Sequence, residues 1–130
     1  MKPLLNLTIE RSWLDMIASG EKREEYRSMR NRQVARVWSR AIDRGRLPPD
    51  ALAIFRAGYS MRSPALAVEV AGMDLRGAKE IKHPEWGETR GELRFVIALG
   101  TVRVASSYAD VKAWIEGLPP AKKEMENKQA

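Results

Sequence analysis

Between Gly20 and Arg27 the chain reads Gly-Glu-Lys-Arg-Glu-Glu-Tyr-Arg, which sets Lys22, Glu25 and Arg27 close together in sequence. A lysine is a compact point charge that holds a phosphate, and it becomes a base or nucleophile where burial strips its proton. A glutamate three residues on can orient that lysine, accept from the amino group of a nucleobase, or act as a general base itself. Arg27 offers a planar fork to phosphate or carboxylate, and Gly20 lets the backbone turn sharply and approach a ligand closely. Plainer roles stand beside these. Gly20 is also a helix C-cap, Lys22 an exposed lysine at a strand edge, and Glu25 a structural ion-pair partner of Arg27 or Arg56. Geometry sets a condition for any shared chemistry. Strict alternation along a strand sends Lys22 and Glu25 to opposite faces. They meet only if Lys22 lies in a turn before the strand or a bulge intervenes, and the turn-like Gly20-Glu21 favours the first.

Two aromatic residues are placed to stack on an unpaired base, a contact of about 1–3 kcal/mol. Tyr59 lies in a Gly-Ser turn and is expected to be exposed, with Arg56, Ser60 and Arg62 beside it as phosphate contacts. Trp13 sits on the apolar side of a short helix, where a core role is the stronger expectation. Glu69 is the one charge in an apolar strand and is expected to face solvent. His83, the single histidine, stands in a polar segment with Pro84, Glu85 and Trp86 and reads as solvated.

Much chemistry is excluded. Cysteine is absent, which removes disulfides, thiolate zinc sites and thiol nucleophiles, and fits a cytoplasmic protein in a reducing cytosol. One histidine supplies neither a histidine-rich metal centre nor a two-histidine acid–base pair. Neither a P-loop nor a G-x-G-x-x-G run is present. No metal or cofactor is expected. The apolar runs fall far short of the roughly 20 residues of a membrane span, and no apolar leader is visible, so no membrane partner is expected.

The charge is lopsided. The chain of 130 residues carries +6 overall. All of that excess lies in residues 1–65, because residues 66–130 balance. From Arg27 to Arg46 there are seven arginines (Arg27, Arg30, Arg32, Arg36, Arg40, Arg44 and Arg46) against one acid, Asp43. A one-sided basic patch is the footprint of a polyanion partner, and a solvated helix face is the plain alternative.

The elements that must position these residues follow from periodicity. Leu4 to Ile9 reads as a strand with Leu5, Leu7 and Ile9 on one face. Ser12 and Asp15 suggest a capping box for a short helix with Trp13, Met16 and Ile17 on one side, which Gly20 ends in the left-handed conformation. Lys22 to Arg27 reads as a second strand. Asn31 to Arg44 is the clearest helix, with Val34, Val37, Trp38, Ala41 and Ile42 on one side and Arg32, Arg36, Arg40 and Arg44 on the other. Leu52 to Arg56 reads as a strand and Gly58 to Pro64 as a turn. Leu66 to Ala71 is a further strand, followed by a polar loop from Arg76 to Arg90. Leu93 to Ala105 is a long strand interrupted by a bulge at Gly100. Ser107 and Asp110 cap a last helix whose apolar face is Val111, Trp114, Ile115 and Leu118. The expectation is one α+β domain over residues 1–118, with about five strands in a small, strongly curved or closed sheet and about three flanking helices. Residues 119–130 read as a polar tail.

The segment Gly20 to Arg27 fits G-x-K-x-x-E-x-R. With the strand and glycine turn at Ile54 to Ser60, the strand ending at Gly72 and the late strand ending in Leu99-Gly100, the chain resembles the ASCH domain family of the PUA-like superfamily over roughly residues 3–105. The resemblance implies a small PUA-like β-barrel with helices around its rim. It also implies RNA or other nucleic acid as partner, bound in a cleft lined by Gly20, Lys22, Glu25 and Arg27. A hydrolase acting on RNA or on a modified nucleoside, with Lys22 and Glu25 as acid–base pair, is the alternative. The amidohydrolase branch of the family has Thr where this chain has Glu25, so its hydroxyl is missing here.

Overall fold

The computed structural model describes residues 4–45, 50–77 and 93–118. In chain order the elements are β1 (Leu4–Thr8), α1 (Arg11–Ser19), β2 (Glu24–Ser28), α2 (Arg32–Asp43), β3 (Leu52–Arg56), β4 (Pro64–Arg76), β5 (Arg94–Ser107) and α3 (Tyr108–Glu116). They form an α+β fold around one five-stranded mixed sheet in the order β1-β3-β4-β5-β2, with β1 parallel to β3 and the other pairs antiparallel.

The long strands β4 and β5 shift register three times between Ala67 and Gly72. Extra residues in one strand increase local twist and bend the ladder. Gly100 belongs to this bend: a Cβ there would stand 3.2 Å from the Glu69 carbonyl oxygen. The expected interruption at Gly100 is thus a change of register inside a continuous strand. The bend has a measurable consequence. Arg27 of β2 is in register with Phe95, near the start of β5. Thr8 of β1 connects through Arg56 and Ala65 to Ser106, near its end. Yet the Arg27 guanidinium donates from Nη2 to the Thr8 carbonyl at 2.8 Å. The sheet therefore curls until its first and last strands confront each other across a seam. Among the described strand pairs none joins β1 to β2, so the sheet is not closed into a barrel.

Side chains occupy the seam instead. Asn6 turns its backbone N–H and C=O away from β3, and the Gln33 amide of α2 takes both, each at 2.9 Å. Inside the curl lies the main core. Leu5, Leu7, Phe55, Leu66, Val68, Phe95 and Ile97 pack against Leu14 and Ile17 of α1 and Val34 and Val37 of α2. Each such side chain contributes roughly 1.5–3 kcal/mol on burial. α3 covers the outer face, with Val111 and Ile115 against Leu52, Ile54, Ala65 and Ala67.

Most boundaries fall where periodicity and capping put them. Asn31 caps α2, its side chain accepting from the Val34 N–H at 3.1 Å, and Ser107 caps α3, accepting from the Asp110 N–H at 3.2 Å. α1 differs. It starts at Arg11 with Glu10 as an extended N-cap that makes no side-chain cap bond. Ser12 is therefore already helical, and Asp15 pairs with Arg11 at 3.0 Å rather than closing a capping box. Its buried face is Leu14 and Ile17, with Trp13 and Met16 half-buried. The second strand begins at Glu24, two residues later than read, because 21–23 form the turn. Ile42 of α2 is exposed: it lies about 100° round the helix from Ala41, past the limit of the core face. β4 continues past Ala71 to Arg76, since Gly72–Arg76 pair with Ala98–Arg94 and Arg76 joins Glu24 at 2.9 Å and Asp74 at 3.2 Å. Arg46, the polar segment with His83, and the tail at 119–130 lie outside the described residues.

Candidate functional site

α1 ends in Gly20, whose φ of +85° belongs to the left-handed region that favours glycine. The Gly20 N–H donates to the Ile17 carbonyl, and the Lys22 N–H reaches back to the Met16 carbonyl at 3.0 Å. This tight return aims the Lys22 side chain under α1 instead of along β2, which is the turn geometry that alternation required. Lys22 is 1% exposed and Glu25 2% exposed, so the plainer reading of an exposed edge lysine is overturned.

The charged ends converge. Lys22 Nζ lies 3.2 Å from Glu25 Oε1, and Arg27 donates from Nη2 to Glu25 Oε2 at 2.9 Å. The same Oε1 accepts from the Tyr26 N–H at 3.1 Å. The structural ion pair expected for Glu25 is therefore present with Arg27, and Arg56 takes no part in it. Two aromatic rings flank the ammonium, with centroids 5.8 Å away for Trp13 and 5.0 Å for Tyr26, within cation–π range. Burial pushes the Lys22 pKa down from 10.5, and the Glu25 carboxylate partly offsets that. The Arg27 side chain is 20% exposed, and its Nε is buried with no hydrogen-bond partner among the described residues.

A hollow of about 180 Å³ borders the cluster at Lys22 alone, so Gly20 and Lys22 line it as expected and Glu25 and Arg27 do not. Ile17, Leu99 and Val102 form its apolar walls, and Ser19, Gly20, Lys22 and Arg23 its polar side. A void of about 150 Å³ holds a benzene ring, whereas drug-sized ligands need about 300 Å³ or more. The hollow is thus no larger than a single small ring needs.

Other expected residues stand apart from the cluster. Tyr59 is 86% exposed in the turn after β3. In the same turn the Ser60 N–H donates to Ser63 Oγ at 3.0 Å, and the Arg62 N–H to Ser60 Oγ at 3.1 Å. Arg56 is committed locally: it donates to the carbonyls of Gly58 at 2.8 Å and Ser60 at 3.1 Å, and its guanidinium lies 3.6 Å from the Tyr108 ring centroid. Glu69 is half-buried and pairs with Arg103 at 3.0 Å. Arg32, Arg36 and Arg40 are exposed along α2.

Sequence reasoning missed three participants. Tyr26 carries no signal of its own in the sequence, and Trp13 reads as core or as a base-stacking ring, not as a neighbour of the ammonium. Gln33, which ties α2 to the seam, carries no motif and no periodicity. Among the described residues no three His, Cys, Asp or Glu side chains come together to hold a metal, and no helix is long and apolar enough to cross a membrane. No family model matches the chain, and neither does any curated protein or solved structure in the comparisons made.

Proposed function

We propose that this chain is an ASCH-type, PUA-like nucleic-acid-binding domain that recognises single-stranded RNA or an unstacked nucleotide beside Lys22, Glu25 and Arg27. The curled sheet, with β1 and β2 facing each other across a seam, is read as a PUA-like barrel whose last pairing is made by side chains. The observation that carries the functional reading is the convergence of Lys22 and Arg27 on Glu25, with Lys22 bordering a hollow no larger than a single small ring needs. A buried ion cluster is weak evidence for stability, because apolar side chains of the same volume would serve the fold as well or better. Buried, perturbed charges next to a hollow are instead where ligand chemistry concentrates. In this reading an extruded base enters the hollow, where Ser19, Gly20 and Arg23 meet its edge and Lys22 lies buried behind them. Tyr59, Ser60 and Arg62 provide exposed contacts further out, and the arginines of α2 attract the strand.

Fluorescence anisotropy with a short single-stranded RNA tests the reading. Affinity is expected to fall steeply between about 50 and 200 mM salt, and to be lost on combined reversal of Arg32, Arg36 and Arg40 to Glu. Binding indifferent to both would contradict it.

One observation supports a second reading, a small hydrolase acting on RNA or a modified nucleoside. Lys22 has its pKa lowered by burial and lies 3.2 Å from the Glu25 carboxylate, an arrangement fit for proton transfer. Incubation with RNA and with acylated cytidine, with and without chelator, separates the two. Turnover lost on Lys22→Ala supports the enzyme, and no turnover at high protein concentration supports the binder.

A further inference from the structure

Some described arginines pair with carboxylates and others do not, Arg30 and Arg62 being among the latter. Arg11, Arg27, Arg76 and Arg103 each pair with a carboxylate. Arg32, Arg36, Arg40 and Arg44 are exposed, and none of them forms an ion pair among the described residues. Like charges four apart on a helix repel each other. The fold takes no ion pair from the row among the described residues, and α2 is anchored by Val34, Val37 and Ala41 on its other side and by Gln33 at its flank.

The anchors also fix where the row lies. Gln33 holds Asn6, and Thr8, two residues further along the same strand edge, holds Arg27. At about 100° per residue, Arg36 lies about 60° and Arg40 about 20° round the helix from Gln33. Both therefore stand on the flank of α2 that meets the seam, and Arg27 sits in that seam with Nε still unpartnered among the described residues.

We infer that α2 and the β1–β2 seam form a linear track for the phosphodiester backbone of an unstacked single strand, one phosphate per arginine, ending at Arg27. The inference rests on the nucleic-acid reading above and adds the conformation and length of what is bound. Successive arginines of the row are about 6 Å apart along the helix axis. Phosphates of one duplex strand wind round the duplex axis, so a row of cations on one helix meets only a few of them in turn. A single strand with its bases splayed is free to follow the row phosphate by phosphate. Guanidinium forks also match phosphate oxygens bidentately.

Anisotropy titrations of the intact protein with a series of single-stranded oligonucleotides, roughly two to ten residues long, test the track. Affinity is expected to climb with each phosphate and to level off near five, one for each of Arg32, Arg36, Arg40, Arg44 and Arg27. Arg36→Gln and Arg40→Gln are each expected to reduce the slope of log K against log salt by about 0.7, with unchanged thermal unfolding, while Arg11→Gln leaves the slope as it was. If oligonucleotides bind but the slope ignores Arg36 and Arg40, or affinity ignores length, the track is wrong and the nucleotide site stands. If a duplex of equal length binds more tightly, or poly-glutamate displaces the strand at equal charge, the track is likewise overturned. If no oligonucleotide binds at any length, the nucleic-acid reading falls with it.

Discussion

Lys22 and Glu25, three residues apart at the end of a turn, bring an ammonium and a carboxylate to within 3.2 Å of each other in a setting where both are almost fully buried. Removing one member of such a pair takes away the opposite charge that lies nearest the other in the interior. Glu25→Gln is expected to destabilise the fold by about 3–5 kcal/mol, because Lys22 and Arg27 both lose their carboxylate. Glu69→Gln, at the half-exposed pair with Arg103, is expected to cost under about 1 kcal/mol. Urea unfolding of the two variants beside the wild type checks the contrast, and equal midpoints would show that the buried cluster is energetically idle.

The lowered pKa of Lys22 gives stability a definite pH dependence. Below its folded pKa the lysine carries a buried charge. Between that value and the unfolded value of 10.5 the unfolded chain holds more protons, so the contribution of Lys22 to stability rises with pH. Lys22→Met removes this titration. The wild type is therefore expected to gain stability relative to Lys22→Met as pH is raised from about 7 towards 10. Chemical unfolding at both pH values measures the gap, and a gap moving the other way would contradict the assignment.

Gly20 is required by its backbone and not by crowding. A Cβ there would meet nothing closer than Arg23 Nη2 at 3.8 Å, so Gly20→Ala is expected to cost about 1–2 kcal/mol from the positive φ alone. A thermal melt reads the loss. Retention of the wild-type midpoint would mean the turn can relax into another conformation.

The seam makes its own prediction. Gln33→Ala removes two hydrogen bonds from the edge of β1, for a loss of about 1–3 kcal/mol. Amide exchange at Asn6 is expected to quicken while that of Val68, deep in the sheet, keeps its rank. Uniform quickening across the sheet would show that the seam is part of the global unfolding unit.

Local signals made much of this legible. The side-chain caps at Asn31 and Ser107, the left-handed Gly20 and the apolar stripe of α2 act within a few residues of themselves, so the sequence carries them openly. The alternation rule even stated the condition under which Lys22 and Glu25 could meet. Features made by distant segments were hidden. The curl depends on register shifts between β4 and β5, and only Gly100 marks it. The approach of Arg27 to Thr8 follows from that curl, so no spacing along the chain announces it. At α1 a plausible capping pair misled, because the start of the helix is set by how Leu14 and Ile17 reach the core and not by the nearest serine.

The most direct test of the central claim is an NMR titration of the labelled protein with a short single-stranded RNA, following backbone amides residue by residue. The account predicts that shifts concentrate in residues 20–27 and along α2 from Arg32 to Arg40, and that they fade as salt is raised. Shifts confined to α3 and the outer face of the sheet, or a spectrum that the RNA leaves unchanged, would contradict it.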